Sequence, residues 1–150
     1  MEAAIREGRR GVKRGDGGPF GAVLVEGGRI VARAHNRVVK THDPTAHAEV
    51  LALRAASRRL GRFDLSDCVL YSTCEPCPMC LAAAYWAKIR TLYFGCTRDD
   101  AARIGFDDSY IYRVIQGKVR RPRLRPNALG RESCLELFKA WRQKKDRVPY

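Results

Sequence analysis

The chain has no apolar run long enough to span a bilayer, and its opening, Met1-Glu2-Ala3-Ala4-Ile5-Arg6, lacks the hydrophobic stretch of an export signal. Neither a membrane protein nor a secreted disulfide scaffold is expected, and the compartment expected is the cytoplasm. Acidic residues are scarce: 16 Asp and Glu stand against 29 Lys and Arg, a formal charge of +13. From Gly117 to Tyr150 there are 11 basic and 3 acidic residues, so over half of the excess lies in the last quarter. A basic tail can bind nucleic acid phosphates. Aromatics are also sparse, 9% of the chain, and few interleave Lys118 to Arg131, where a single-strand binder would add stacking platforms. A solvated arginine-rich face therefore explains that run somewhat better than a nucleic acid track. Internal repeats and a second core are absent, and 150 residues with 45% apolar content imply one domain over 1–150.

What the chain does have is a dense cysteine motif, Ser72-Thr73-Cys74-Glu75-Pro76-Cys77-Pro78-Met79-Cys80. Cys77 and Cys80 are three apart, so one helical turn points both sulfurs the same way, and the prolines suit a loop-to-helix junction. A helix N-terminus favours thiolates. Upstream, Asp43-Pro44-Thr45 predicts a helix start with Asp43 as its cap, followed at once by His47-Ala48-Glu49. His47, Cys77 and Cys80 make three zinc ligands, and three ligands with an open fourth position is the catalytic pattern. The H-x-E and P-C-x-x-C pair is the general signature of zinc deaminases. His47 and Glu49, two apart, do not share a helix face; they converge only if they sit in the first turns. The remaining cysteines, Cys68, Cys74, Cys96 and Cys134, are expected to be inert and buried.

In order along the chain, Glu2 to Arg14 is helix-like but weakened by Gly8 and Gly11. Phe20 to Val25 and Arg29 to Ala34 predict a hairpin about Glu26-Gly27-Gly28. A helix runs from Pro44 to about Leu60, closed by Gly61, then a strand from Cys68 to Ser72, a helix from Cys77 to Ala87 and a strand from Thr91 to Cys96. Strand, helix, strand implies a parallel crossover and an α/β sheet. Ala101 to Gln116 is mixed, with a turn at 105–108 and a helix over Tyr110 to Ile115; 117–130 reads as an extended connector. Ser133-x-x-Glu136 reads as a capping box opening a helix with Leu137, Phe138 and Trp141 on one face.

A zinc site of this kind acidifies water to a pKa of about 7, and Glu49, not needed as a ligand, can act as general acid and base. The reaction class is hydrolytic removal of an amino group from an aromatic base. Four segments, Gly17 to Val23, Asp43 to Val50, Cys74 to Cys80 and Gly105 to Tyr112, together resemble the guanine deaminase branch of the cytidine deaminase superfamily. The likeness covers Gly17 to Gln116 and returns at Ala140-Trp141-Arg142 and Tyr150. It implies a three-layer α/β/α fold, a mixed sheet with helices on both faces. It further implies that Asn36 hydrogen-bonds the base, that Phe20 and Trp86 wall the pocket, that Ala48 contacts substrate, and that Asp108 reads the guanine edge. In this family the C-terminal segment, here the helix and lid of 131–150, is exchanged between the subunits of a homodimer, with Tyr150 closing the partner's pocket. The arginine-rich connector and Val148-Pro149 depart from the family's usual ending.

Without the resemblance, Asn36 is a turn residue, Phe20 and Trp86 are core, Asp107 and Asp108 are a solvated turn, and Tyr150 is a frayed end. His35 and His42 read as surface or loop histidines. The leading function is zinc-dependent conversion of guanine to xanthine. Its rivals are a tRNA adenosine or nucleoside deaminase and a non-catalytic basic RNA-binding module with structural zinc.

Overall fold

Four short strands rich in Val, Leu, Tyr and Ala pair into one sheet: β1 (Gly21–Glu26), β2 (Arg29–His35), β3 (Cys68–Cys74) and β4 (Thr91–Cys96). Their order is β2-β1-β3-β4; β1 is antiparallel to β2 and β3, and β3 is parallel to β4. The computed structural model describes residues 1–150, in two compact units, Met1–Tyr112 and Arg113–Tyr150. The first unit carries the sheet, with α1 (Glu2–Arg14) packed on β1, β2 and β3, and α3 (Ala48–Leu60) packed on β1, β2 and α4 (Pro78–Trp86). The fold is the expected mixed sheet with helices on both faces. Leu24, Leu65 and Leu70 are fully buried at its centre, each burial contributing roughly 1.5–3 kcal/mol.

Gly11, one of the two glycines that weaken α1 as an isolated helix, is what lets it dock. A Cβ at Gly11 would stand 2.7 Å from the His35 ring, and one at Gly21 would overlap the Ala4 carbonyl. Close approach offsets the propensity cost of about 1 kcal/mol per glycine.

Several local expectations are corrected. The helix foreseen from Pro44 starts at Ala48, with His47 as N-cap, because the Asp43 carboxylate instead accepts from the Thr45 amide and hydroxyl, at 2.8 and 2.7 Å, and closes a turn. Short helices α2 (Val38–Thr41) and α5 (Arg98–Arg103) were not foreseen; α5 opens on a Thr97–Asp100 capping box. α6 (Ser109–Ile115) matches its expected helix within a residue. In the second unit 117–130 holds no helix or strand, and α7 (Arg131–Gln143) begins before Ser133, with Gly130 as N-cap and no side-chain cap. Cys68 and Cys74 are buried, whereas Cys96 and Cys134 are exposed, contrary to expectation, since β4 is an edge strand and α7 has no buried face. All six cysteines are free, and no helix is long and apolar enough to cross a membrane.

Candidate active site

Strand register gathers the functional segments at one end of the sheet. Gly21 pairs with His35, Ala22 with Ser72 and Cys74 with Cys96, so Phe20, Asn36 and the cysteine loop leave the sheet together. The N-termini of α3 and α4 meet there, with His47 and Cys77 as their respective N-caps. Pro78 occupies the first turn of α4, where no amide is needed.

The His47, Cys77 and Cys80 ligand atoms lie within 4.8 Å of one another. His47 Nδ1 is 3.5 Å from each sulfur. Zinc–nitrogen and zinc–sulfur bonds of about 2.0–2.1 and 2.3 Å at a tetrahedral angle separate N and S by about 3.5 Å, so the donor set fits the ion. Charge agrees. The Cys77 thiol is lowered to about 4, chiefly by its hydrogen bond with Cys80 and then by His47. Its bond to Cys77 and burial push Cys80 up, and His47 is raised by Cys77. One thiolate forms readily and the second is opposed, a pair whose charges a bound cation would neutralise.

Glu49 is buried one residue inside α3 from Ala48. Ser72 Oγ donates to its Oε1 at 2.7 Å, and its Oε2 lies 3.4 Å from Cys80 Sγ. The separation of His47 and Glu49 is thereby resolved: one is a cap outside the helix, the other sits at its second position, and both reach the space beyond its end. Ser72 also accepts from the Cys74 amide at 3.4 Å. It was not singled out as a site residue, though a serine on the core-facing alternation Cys68, Leu70, Ser72, Cys74 is a readable signal.

A pocket of about 380 Å³ opens over this cluster. Phe20, Asn36, Glu49 and Asp108 line it, and so do Glu75, Arg98 and Phe106, to which the sequence assigns no role. Phe106 meets Phe20 edge to face at 4.9 Å. Asn36 is buried, and its Oδ1 accepts from the Gly18 and Val38 amides at 3.3 and 3.2 Å, which leaves its NH2 group as donor. Burial raises the Asp108 carboxyl, with Cys77 adding to it and Arg98 opposing. Ala48 is buried in the core; its backbone N–H, at the first helical position, has no acceptor within the helix. Trp86 does not line this pocket. It ends α4, about two turns beyond the ligands, and is 66% exposed. Tyr150 belongs to the second unit and is exposed.

His35 is a correction. It is 7% exposed, with Nε2 2.8 Å from Asp16 Oδ2 and Nδ1 3.3 Å from Glu7 Oε2. Strand alternation brings it under α1, where the two carboxylates replace water. His42 is exposed, as expected.

Residues 1–96 match the family described as the cytidine and deoxycytidylate deaminase zinc-binding region. A guanine deaminase from Bacillus subtilis is 43% identical over the whole chain and 96% of its own length. Its solved structure superposes with a TM-score of 0.91 at 42% identity, covering 99% of this chain and 95% of that one. A solved guanine deaminase from Nitrosomonas europaea gives 0.69 at 32% identity, over 91% of this chain and 70% of that one. A tRNA-specific adenosine deaminase from Aquifex aeolicus is 44% identical over 63% of this chain and 62% of its own length. The chain thus belongs to the zinc-binding cytidine and deoxycytidylate deaminase family.

Proposed function

We infer that the chain hydrolyses guanine to xanthine and ammonia. The observation that carries this reading is that Phe106, Asp108 and Ile111, from the segment after β4, line the pocket beside His47 and Glu49. Likeness to guanine deaminase extends through that segment, over the full chain, whereas likeness to the tRNA deaminase covers under two thirds of it.

His47, Cys77 and Cys80 would hold zinc, which supplies a nucleophile at neutral pH by lowering the pKa of water to about 7. Glu49 Oε1 is engaged by Ser72, so Oε2 is assigned the proton traffic. Glu49 takes a proton from the attacking water and gives it to a ring nitrogen as the C–O bond forms at the amino-bearing carbon. A second transfer, from the added oxygen through the same carboxylate to the amine, lets the C–N bond break, and ammonia leaves with the electron pair. Phe20 and Phe106, packed edge to face, wall one side of a flat heterocycle, the Asn36 NH2 and Ala48 N–H donate to its acceptors, and the Asp108 carboxylate accepts from its N–H edge.

Exposed apolar groups support a homodimer: Tyr85, Trp86, Tyr93 and Phe94 in the first unit, and Leu137, Phe138 and Trp141 on α7. In this reading residues 131–150 cross to the second subunit, and the partner subunit's Tyr150 closes the pocket. The cytoplasm, where thiols stay reduced, suits six free cysteines.

Purified protein is expected to convert guanine to xanthine, followed by its ultraviolet change; inosine formation in tRNA with no turnover of guanine would replace this reading by the tRNA one. Removing Arg147 to Tyr150 should cut kcat/KM strongly, and an unchanged enzyme discards the lid.

A further inference from the structure

Around β2, an edge strand, lies another pocket, of about 350 Å³, that shares no residue with the first. Three layers feed it with cations: Arg10 and Arg14 from α1, Arg33, Arg37 and Lys40 from β2 and the segment after it, and Arg58 from α3. Its two carboxylates, Glu7 and Asp16, are turned onto the buried His35. Asp16 also holds Lys40 at 3.3 Å, and Arg10 stands 3.8 Å from Glu7. Arg14, Arg33, Arg37 and Arg58 form no ion pair. Charge on an edge strand guards it against pairing, which accounts for Arg33. It does not account for guanidiniums from two helices facing the same hollow, where they repel one another unless an anion sits between them.

Guanidinium forks match phosphate oxygens two at a time. The volume falls at the lower end of small-ligand sites, about 300–1,000 Å³. We propose that this pocket binds a compact anion carrying two or three linked phosphates, either inorganic or on a nucleoside, and that its occupancy is relayed to Asn36. The relay is short. His35 and Arg37 line this pocket, and Asn36 between them lines the catalytic one. Lys40 N–H donates to the Asp16 carbonyl at 3.0 Å, and the Gly18 and Val38 amides hold Asn36 Oδ1. An anion that draws in Arg37 and Lys40 tightens the loop that fixes Asn36. The binding claim stands on the pocket alone; the relay rests on the guanine reading of the catalytic site.

Calorimetry with inorganic tripolyphosphate on the zinc-loaded chain tests the first claim, since this probe has no base to enter the catalytic pocket. One ion per chain is expected, weakened about tenfold or more by Arg33→Glu with Arg58→Glu, and by added salt. Arg121→Glu with Arg125→Glu, in the C-terminal connector, should leave it unchanged. Adenosine triphosphate bound about tenfold more tightly than tripolyphosphate would assign a nucleotide, and equal affinity the phosphate chain alone. Absence of saturable binding, or its loss in the connector variant instead, overturns the site. In kinetics, saturating tripolyphosphate should shift KM for guanine about threefold in the parent and not in the Arg33, Arg58 variant. An unmoved KM overturns the relay, while absence of any guanine turnover counts against the guanine reading and leaves calorimetry to decide the site.

Discussion

Replacing Ser72 with alanine isolates the contact that positions the proposed proton carrier. Ser72 is 0% exposed, so nothing from solvent replaces its hydroxyl, which donates to Glu49 Oε1 at 2.7 Å. A hydrogen bond to a charged group contributes about 1.5–3 kcal/mol, and a buried carboxylate deprived of it keeps its desolvation cost. Ser72→Ala is expected to lose about 2 kcal/mol, roughly 4–8 °C in Tm for a chain of this size. The kinetic consequence is separate. A carboxylate released at one oxygen samples other rotamers, so kcat should fall about tenfold, equivalent to about 1.4 kcal/mol of misplacement. KM should stay within about twofold, since Ser72 is not part of the pocket wall. The assay is thermal unfolding and steady-state guanine turnover of the zinc-loaded protein for Ser72→Ala, Glu49→Gln and the double variant. Glu49→Gln alone should lower kcat by about 10²–10⁴, and in its background Ser72→Ala should cost no further rate. Parental kcat in Ser72→Ala, or two fully additive losses in the double variant, refutes the positioning argument even if Tm falls.

Two further perturbations follow from the geometry. Gly17→Ala would drive a methyl into Asn36 Oδ1; KM for guanine should rise about tenfold with a smaller change in kcat, and an unchanged KM would remove Asn36 from base binding. Asp64 is lowered from 3.8 to about 2, mainly by hydrogen bonds from Ser66 and further by Lys88 at 3.2 Å. Its contribution is complete above pH 3.8, declines as pH falls, and is gone below about 2. Asp64→Asn should therefore flatten stability against pH across that window, measured as urea midpoints; parallel curves for parent and variant would contradict the linkage.

The residues alone determined the metal centre and the order of the strands and longer helices, because both are written in short-range chemistry. Cys77 and Cys80 are one turn apart after a proline, and His47 stands two residues before Glu49 in an H-x-E pattern, so spacing identifies them without knowledge of the fold, although the cap rule placed the helix start too early. The four strands were legible from alternation and turn residues, and the parallel pair from the helix between β3 and β4. Tertiary structure decided what long-range register decides. That Ser72 meets Glu49, 23 residues away, depends on how β3 lies against α3. His35 became buried because Gly11 brings α1 against β2, a contact no local window contains. Cys96 and Cys134 came to the surface because β4 ends the sheet and α7 buries no face, matters of neighbours rather than hydrophobicity. Trp86, an apolar residue on an apolar helix, lies clear of the pocket for the same reason: helix length carries it away from Cys77 and Cys80. The basic hollow is the extreme case, since Arg14, Arg33 and Arg58 are unremarkable surface cations until three elements bring them around one space.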